Sequence, residues 1–213
     1  MIKSKVLILL LGLSSCSNFP LYNYGYNVIK ENYLGLDSFA LTEQYMQDSK
    51  YAFIRVRFGN SRSALLILIR EKNNILEWIS ADGIRIFTFN GKVIKTLGLP
   101  NDIEILDFRD PYSAIDRATQ FSYTTNFLYP VLLQQSTEVR ISHQGNKKIK
   151  SPIEGRKKIE VNVFEEKIYI RSINWHHKNK YFINSNEQVE KTIQYLHPFS
   201  SPMTIEFVKK FTK

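Results

Sequence analysis

The residue types that most often bind metals or act as nucleophiles are rare in this chain of 213 residues. It contains four histidines and one cysteine: His143, His176, His177, His197 and Cys16. Neighbouring residues of a strand point to opposite faces, so His176 and His177 cannot readily share one ion. We therefore expect no metal site and no cofactor. The sequence also lacks the GxSxG, Walker, GxGxxG and HExxH motifs of common hydrolases and nucleotide-binding proteins.

Paired carboxylates are the remaining catalytic option. Glycosidase chemistry needs two acids roughly 5–9.5 Å apart in a cleft. Five aspartates could supply them: Asp82, Asp102, Asp107, Asp110 and Asp116. Turn formation already accounts for Asp82 and Asp102, since both lie beside turn residues. We expect a protein that is not an enzyme, and a polysaccharide-modifying hydrolase stays as the least favoured alternative.

The residues before Cys16 explain why a single cysteine is present. Two lysines lie within the first five residues, residues 6–13 are all apolar or glycine, and small serines follow. This pattern is typical of a secretory signal peptide, which is too short to remain as a membrane span. The ending Leu13-Ser14-Ser15-Cys16 resembles the bacterial lipobox, in which cleavage precedes a cysteine that becomes lipidated. An ordinary signal peptide with an incidental cysteine is the alternative. We predict lipidation of Cys16 and, because Ser17 and not Asp follows, sorting to the outer membrane.

Aromatic side chains could form a platform for sugars, because the apolar face of a pyranose stacks on a ring. Trp175, Tyr123 and Tyr181 are the candidate glycan contacts, together with Tyr129. Trp175 is expected at the end of a strand. The alternative is that these rings belong to the hydrophobic core, where aromatic residues usually lie.

The chain is basic, with a formal net charge of +9. Removal of residues 1–15 takes away Lys3 and Lys5 and no acid, which leaves +7. A basic surface could meet lipopolysaccharide phosphates or an acidic polysaccharide, although solvated lysines are the simpler explanation. An exported lipoprotein has no access to nucleic acid, so we expect none as a partner.

The elements that must position these residues are strands. The segment 75–99 contains two turn dipeptides, Asp82-Gly83 and Asn90-Gly91, between runs rich in Ile, Phe, Val and Thr. Both dipeptides favour two-residue type I′ turns. They predict an antiparallel meander over 75–81, 84–89 and 92–97, with Trp78 opposite Phe87 and Ile94 also opposite Phe87. Both faces of this meander are apolar, so we expect each face to be covered.

Further strands are expected on both sides of the meander. Residues 51–59 alternate between apolar and basic side chains, which predicts a half-buried strand. The run Ala64–Ile69 is continuously apolar and predicts a strand buried on both faces. Further strands are predicted at 103–108, 119–124, 131–134, from 137, 159–164, 167–175, 180–184, 189–196 and 204–209. Gln144–Lys147, Glu165-Glu166 and Ser185-Asn186 are read as turns, and the basic segment 147–158 as an exposed loop.

These patterns predict a mainly all-β chain, an antiparallel β-barrel-like or sandwich domain with an N-terminal helical segment. Residues 1–15 are the expected signal peptide, 16–20 a lipidated tether, and 21–213 a single mostly-β domain. Helix is expected within 21–47, with Leu41–Tyr45 as a second short helix or a loop leading into the sheet.

The segments 78–82 and 88–99 resemble the signature of the group 4 capsule and exopolysaccharide operon lipoproteins, the GfcB/YjbF family. Tyr51-Ala52, Arg55, Arg57 and Ala64–Ile69 fit the same pattern upstream. The segments 181–184 and 191–198 resemble the closing strands of that family, although Asn186-Glu187 replaces its glycine turn. The resemblance extends over about 16–208 and is loosest over 105–160.

The resemblance implies an antiparallel barrel-like fold in an outer-membrane lipoprotein on the periplasmic face, and Cys16 is the one functional position that carries over. It also implies partners: an outer-membrane β-barrel protein and small periplasmic proteins of the same polysaccharide operon. The expected function is therefore non-enzymatic help in assembling or exporting capsule or exopolysaccharide. A module that binds the polysaccharide directly is the alternative.

Overall fold

The computed structural model of the chain describes residues 41–108, 119–128 and 132–211. These residues form one short helix, one 3₁₀ turn and twelve strands. In chain order the elements are α1 (Glu43–Asp48), β1 (Phe53–Phe58), β2 (Ala64–Lys72), β3 (Ile75–Ser80), β4 (Arg85–Phe89), β5 (Lys92–Leu97), β6 (Ile103–Leu106), β7 (Thr119–Phe127), β8 (Leu133–Ile149), β9 (Ile159–Ile170), the 3₁₀ turn (Arg171–Ile173), β10 (Trp175–Ile183), β11 (Val189–Gln194) and β12 (Met203–Lys209).

The twelve strands form a closed antiparallel barrel in which each strand pairs with its neighbours in the chain. β1 closes the sheet, since Val56 lies opposite both Ala64 of β2 and Ile205 of β12. Closure leaves no open sheet edge, which protects the backbone from pairing with other chains. The all-β, antiparallel barrel predicted from the strand pattern is confirmed.

The side-chain alternation of β1 shows how the sequence builds the barrel wall. Ile54 and Val56 point inward and are 0% and 4% exposed, whereas Arg55 and Arg57 point outward. Equivalent inward positions on the other strands fill the interior, so it is a packed core. The most buried interior side chains include Trp78, Ile86, Ile103, Ile170, Met203 and Ile205.

A second, smaller apolar cluster lies outside the barrel beside α1. Phe53 and Val208 pack there against Leu41 and Ile153. The helix begins at its cap Thr42, whose hydroxyl accepts a hydrogen bond from Tyr45 N at 3.2 Å. This is the short helix predicted near Leu41–Tyr45. The remaining residues expected to be helical, 21–40, lie outside the described ranges.

The first turn of the meander differs from the prediction and changes the register. Ser80 N donates to Ile84 O at 3.0 Å, and Ile84 N donates back to the Ser80 hydroxyl at 3.0 Å. The loop therefore has three residues, and only Gly83 among them has a positive φ. As a result Trp78 lies opposite Ile86, and Phe87 lies opposite Glu77. The predicted Trp78–Phe87 pair was wrong, and Trp78 packs inside against Phe207 instead.

The second turn of the meander follows the prediction. Asn90 and Gly91 both have positive φ, and Phe89 pairs with Lys92 and Thr88 with Val93. A bulge follows in β5, so Phe87 pairs with Lys95 and the predicted Phe87–Ile94 pair was wrong.

Four further local predictions were wrong. In three of them, tertiary contacts extend strands past the local turn signals. β8 runs on through the predicted turn at 144–147 with a bulge, and β9 runs on through Glu165-Glu166. Only 150–158 of the expected basic loop lies outside strands, and Ser151 and Ile153 are buried in it. β2 is not buried on both faces, since Ile67 and Ile69 are 39% and 47% exposed on the outer face.

Candidate functional site

The candidate site is a groove on the outer face of β7–β10. The paired strands align Gln120 with Arg140, Arg140 with Lys167, and Lys167 with Lys178. Directly paired residues share a face of the sheet, and all four of these side chains are exposed. Arg140, Lys167 and Lys178, the cation row, therefore cross three adjacent strands, each about 4.8 Å from the next.

The groove is large enough for a ligand, with a volume of about 780 Å³. Its polar lining includes the cation row, Gln120, Glu138, His176 and Lys180. Pockets that hold small ligands span roughly 300–1,000 Å³. Because the lining side chains lie mainly on the solvent side of the strands, the groove is open along the surface.

The negative charge in the groove is already paired. Arg171 donates two hydrogen bonds to the Glu138 carboxylate at 2.5 and 3.1 Å. These bonds hold the pKa of Glu138 below its usual value, although burial opposes them. Lys178 lies 3.3 Å from Glu165. Arg140 donates to the neutral amide of Gln120 at 3.3 Å, so that contact leaves its charge in place.

Stacked rings lie behind the groove, on the inward face of β10. His177 lies opposite Ile168 of the core, and Tyr195 packs against the same core. The His177 and Tyr195 rings, the stacked pair, lie 4.0 Å apart between centroids and 10° from parallel. Trp175 meets His177 edge-on at 5.2 Å. Burial, and secondarily the neighbouring His176, lowers the pKa of His177, which favours the neutral ring. A neutral ring face suits contact with an apolar surface.

The interior side of the same strands holds a buried ion pair. Lys92 and Glu166 are 2% and 0% exposed at their side chains and form a salt bridge across the core. Asn179 and Tyr181 each donate to the other Glu166 oxygen at 2.8 Å. Lys92 also donates to the Tyr123 hydroxyl at 3.2 Å. Burial, and then the charge of Glu166, raises the pKa of Tyr123 well above its usual value.

This buried network supports the groove through Asn179. The Asn179 side chain donates to Glu166 and accepts a hydrogen bond from Tyr195 N at 2.7 Å. The ion pair therefore helps fix the backbone that carries the ring of Tyr195. A buried polar network with its members satisfied makes the local geometry rigid.

A second cavity, of about 740 Å³, opens at the end of the barrel formed by the β2–β3, β4–β5 and β10–β11 hairpins. Trp78 and Phe207 lie at its floor, and the rim contains amides such as Asn162 and Gln188. Its polar lining includes Lys210, which forms a salt bridge with Glu190.

The predicted glycan contacts do not lie together in the structure. Tyr123 and Tyr181 are 6% and 0% exposed inside the barrel, where neither ring face meets solvent. Their burial agrees with the core alternative and does not support a surface role. Trp175 is half-buried at the start of β10 and packs on Phe127 and His177, next to the groove. A glycan contact there stays a prediction, while Tyr129 and Cys16 lie outside the described residues.

Two of the candidate carboxylates, Asp82 and Asp102, have local structural roles, and Asp107 is exposed in the bend after β6. Asp102 accepts hydrogen bonds from Thr96 Oγ1 and Gly98 N at 2.8 Å each, so it organises the β5–β6 loop. Asp82 accepts from the Ser80 hydroxyl in the β3–β4 loop. Asp110 and Asp116 lie outside the described residues.

The histidines do not assemble a metal site in the part of the chain that the structure describes. No group of three or more His, Cys, Asp or Glu there could hold an ion. His176 and His177 lie on opposite faces of β10, as alternation predicts. His197 is buried at 3% exposure, and its Nδ1 accepts from Phe199 N at 3.1 Å.

Sequence reasoning missed the cation row and the Lys92–Glu166 pair. Both depend on partners far apart in the chain, and Glu166 had been assigned to a turn. One pattern in the sequence could have shown that Glu166 points into the barrel, namely the unbroken alternation of β9. Val161 and Val163 point outward, whereas Glu166, Ile168 and Ile170 point inward.

None of the helices among the described residues combines the length and the apolar character needed to cross a membrane.

A model of the family described as group 4 capsule polysaccharide lipoprotein GfcB, YjbF matches residues 27–208. The chain belongs to this family. The family predicted from segments 78–82 and 88–99 is therefore confirmed. Membership in a lipoprotein family indicates a membrane-associated or exported location.

Two individual proteins resemble this chain, one in sequence and one in fold. The uncharacterized lipoprotein YjbF of Escherichia coli (strain K12) is 22% identical over 189 residues, which cover 86% of this chain and 87% of that protein. The crystal structure of the hypothetical lipoprotein YmcC of Escherichia coli (K12) superposes with a TM-score of 0.69 at 17% identity, covering 92% of this chain and 98% of that one. The second likeness shows a shared fold.

Proposed function

We propose that this chain is an outer-membrane lipoprotein, anchored at the periplasmic face by lipid on Cys16, that assists the assembly or export of capsule or exopolysaccharide. The observation that carries the proposal is the match of residues 27–208 to a family of capsule polysaccharide lipoproteins. The signal-like residues 1–15 before Cys16 support the anchor.

The proposed action is binding and not catalysis. Three of the carboxylates form salt bridges with cations: Glu166 with Lys92, Glu138 with Arg171 and Glu206 with Arg55. A general acid or base must reach substrate and keep a pKa suited to proton transfer. Glu166 is fully buried and Glu138 carries two hydrogen bonds from Arg171, so neither is arranged for that task.

The proposed protein partners are an outer-membrane β-barrel protein and periplasmic proteins encoded with this chain in a polysaccharide operon. The support is the resemblance of segments 78–82 and 88–99 to such operon lipoproteins. Affinity purification of the tagged full chain from membranes should recover that outer-membrane barrel protein. Recovery of the chain alone after mild cross-linking would contradict the partner part of the proposal.

The anchor is tested by Cys16→Ala. The variant should no longer incorporate radioactive palmitate and should disappear from the outer-membrane fraction of a density gradient. Ser17→Ala is the matched control, because it changes the adjacent residue and keeps the thiol, and it should label and fractionate like the native chain. Equal palmitate labelling of Cys16→Ala and the native chain would overturn the anchor assignment.

Direct binding of polysaccharide is the second candidate function. The groove on β7–β10 favours it, because the cation row lines an open groove of about 780 Å³.

A further inference from the structure

Among the described residues, carboxylates offset the repulsion along the cation row only in part. Arg140 lies opposite Lys167, and Lys167 lies opposite Lys178. Like charges in direct cross-strand register destabilise a sheet. Glu138 is paired with Arg171, and of the carboxylates that the structure describes only that of Glu165 lies within 4 Å of the row, beside Lys178. An anionic ligand lying along the row would relieve the repulsion.

The geometry of the row fits a linear polyanion. The three cations lie on consecutive strands, about 4.8 Å apart in the hydrogen-bonding direction. Lys180 lies one pleat along β10 from Lys178 on the same outward face and also lines the groove. A chain of uronic acids carries one carboxylate per sugar ring, so it presents a line of negative charge to the line of cations.

Tyr169 supplies a ring on the same face of the sheet as the cations. It lies opposite Glu138 and His176, which line the groove, and it is half-buried. Rings present apolar faces with a polar tip, which suits the C–H face and hydroxyl edge of a sugar.

The outward side chains of the site favour a glycan over a membrane interior. They are mainly charged: Arg140, Lys167, Lys178 and Lys180, with Glu138. Peripheral membrane binding instead buries apolar side chains that project into the headgroup region.

We propose that this groove binds an acidic polysaccharide of the uronate type, with the cation row facing its carboxylates and the ring of Tyr169 beside them. This inference rests on the proposed function, since it names the ligand class that the lipoprotein would handle. It assigns the binding to the outer face of β7–β10 and not to the barrel interior, where Tyr123 and Tyr181 are enclosed.

The test uses the full chain held by its own anchor in phosphatidylcholine nanodiscs, with a galacturonate oligomer of about ten sugars as the probe. Calorimetry should report the binding. The triple variant Arg140→Gln/Lys167→Gln/Lys178→Gln should bind at least tenfold more weakly. Its affinity should also depend less on salt concentration, because fewer ion contacts form.

The matched control removes the same charge elsewhere. Lys150, Lys157 and Lys158 are exposed in the loop between β8 and β9, so their triple change to Gln removes three cations from outside the groove. This control should bind within about twofold of the native chain. Equal loss in both triple variants would overturn the site, since net charge alone would then govern binding. Circular dichroism and thermal melting check that all three proteins are folded.

Two other results would also overturn the inference. Dextran, a neutral glucan, should produce no response, and equal binding of dextran would remove the role of the cations. Vesicles with 30% phosphatidylglycerol should not cosediment the nanodiscs, and sedimentation that depends on the cation row would assign the groove to lipid. Failure to bind galacturonate would contradict this inference. If the same protein is still labelled with palmitate and still recovers its partner, the proposed function stands.

Discussion

Glu166 and Lys167 are neighbours in β9, yet they lie in opposite electrostatic environments. Glu166 points into the barrel, is completely buried and accepts bonds from Lys92, Asn179 and Tyr181. Lys167 points outward between Arg140 and Lys178 and is exposed. One step along a strand thus separates a charge that the protein pairs internally from a charge that it presents to solvent.

The comparison shows where the chain uses charge for structure and where charge is left for a ligand. A buried charge is tolerated only with a partner and hydrogen bonds, because desolvation costs several kcal/mol. An exposed cation is solvated and needs no partner, so repulsion along the cation row costs far less than an unpaired buried charge would. The inner face is therefore expected to govern stability and the outer face to govern binding.

Glu166→Gln should produce the largest loss of stability. It leaves the Lys92 ammonium buried without its counter-charge, which we expect to cost about 3–5 kcal/mol in the free energy of unfolding. Urea denaturation of the full chain measures the loss. The double variant Lys92→Met/Glu166→Gln should recover more than half of it, since the amide oxygen can still accept from Asn179 and Tyr181. A loss below about 1 kcal/mol for Glu166→Gln would contradict the importance of the pair.

Gly91→Ala should be next in size. Gly91 has a φ of +77°, and an added Cβ would lie 2.8 Å from Val189 Cγ1. Backbone strain and overpacking together should cost about 2–4 kcal/mol. Gly83→Ala is the matched control, because Gly83 has a φ of +87° but no atom within 4 Å of the added Cβ. Equal losses in the two variants would show that the contact with Val189 contributes nothing.

Acidification should lower stability through His197. Burial lowers the pKa of this ring, so the unfolded chain binds the proton more readily than the folded chain. The neutral His197 ring contributes fully to stability above about pH 6.5, which is the pKa of histidine in the unfolded chain. The contribution is lost as the pH falls through the lower pKa of His197 in the folded chain. Denaturation between pH 7.5 and 5 should show a weaker pH dependence for His197→Asn, which keeps an acceptor for Phe199 N. An unchanged pH dependence would exclude His197 as its source.

Lys167→Gln should have the smallest effect on stability, within about 0.5 kcal/mol of the native chain. The direction should be stabilising at low salt, because the substitution removes repulsion with Arg140 and Lys178. Thermal melting at two salt concentrations measures it, and the difference from the native chain should shrink as salt rises. A loss above about 1 kcal/mol would mean that Lys167 is a structural residue, contrary to the comparison of the two faces.

Much of the barrel wall was predictable from local patterns. The alternation of β1 and the apolar runs of β3, β4 and β5 predicted the ends of those strands to within one or two residues, because strand formation depends on nearby side chains. The Asn90-Gly91 turn was also predictable, since positive φ at both positions is a local preference. The Asp82-Gly83 turn was not, because the Ser80 hydroxyl bonds to Ile84 N and lengthens the loop.

The site was largely beyond local prediction. Glu165-Glu166 has the composition of a turn, but both residues lie in β9 because they pair with β8 and β10. The partner of the Glu166 carboxylate, Lys92, lies 74 residues earlier in the chain. The candidate rings were assigned from residue type alone, and Tyr123 and Tyr181 are enclosed because barrel closure decides which face is interior. Trp175 is the one predicted ring among the described residues that lies next to the groove.

The amino-acid sequence alone determined the strand-rich composition, the positions of most strands, the Asn90-Gly91 turn and the likeness to a lipoprotein family, because these depend on neighbouring residues. Only the tertiary structure decided that Glu166 faces a lysine and Lys167 faces a groove. Register and closure set those environments, and both are settled by pairing between distant strands and by burial of the shared core.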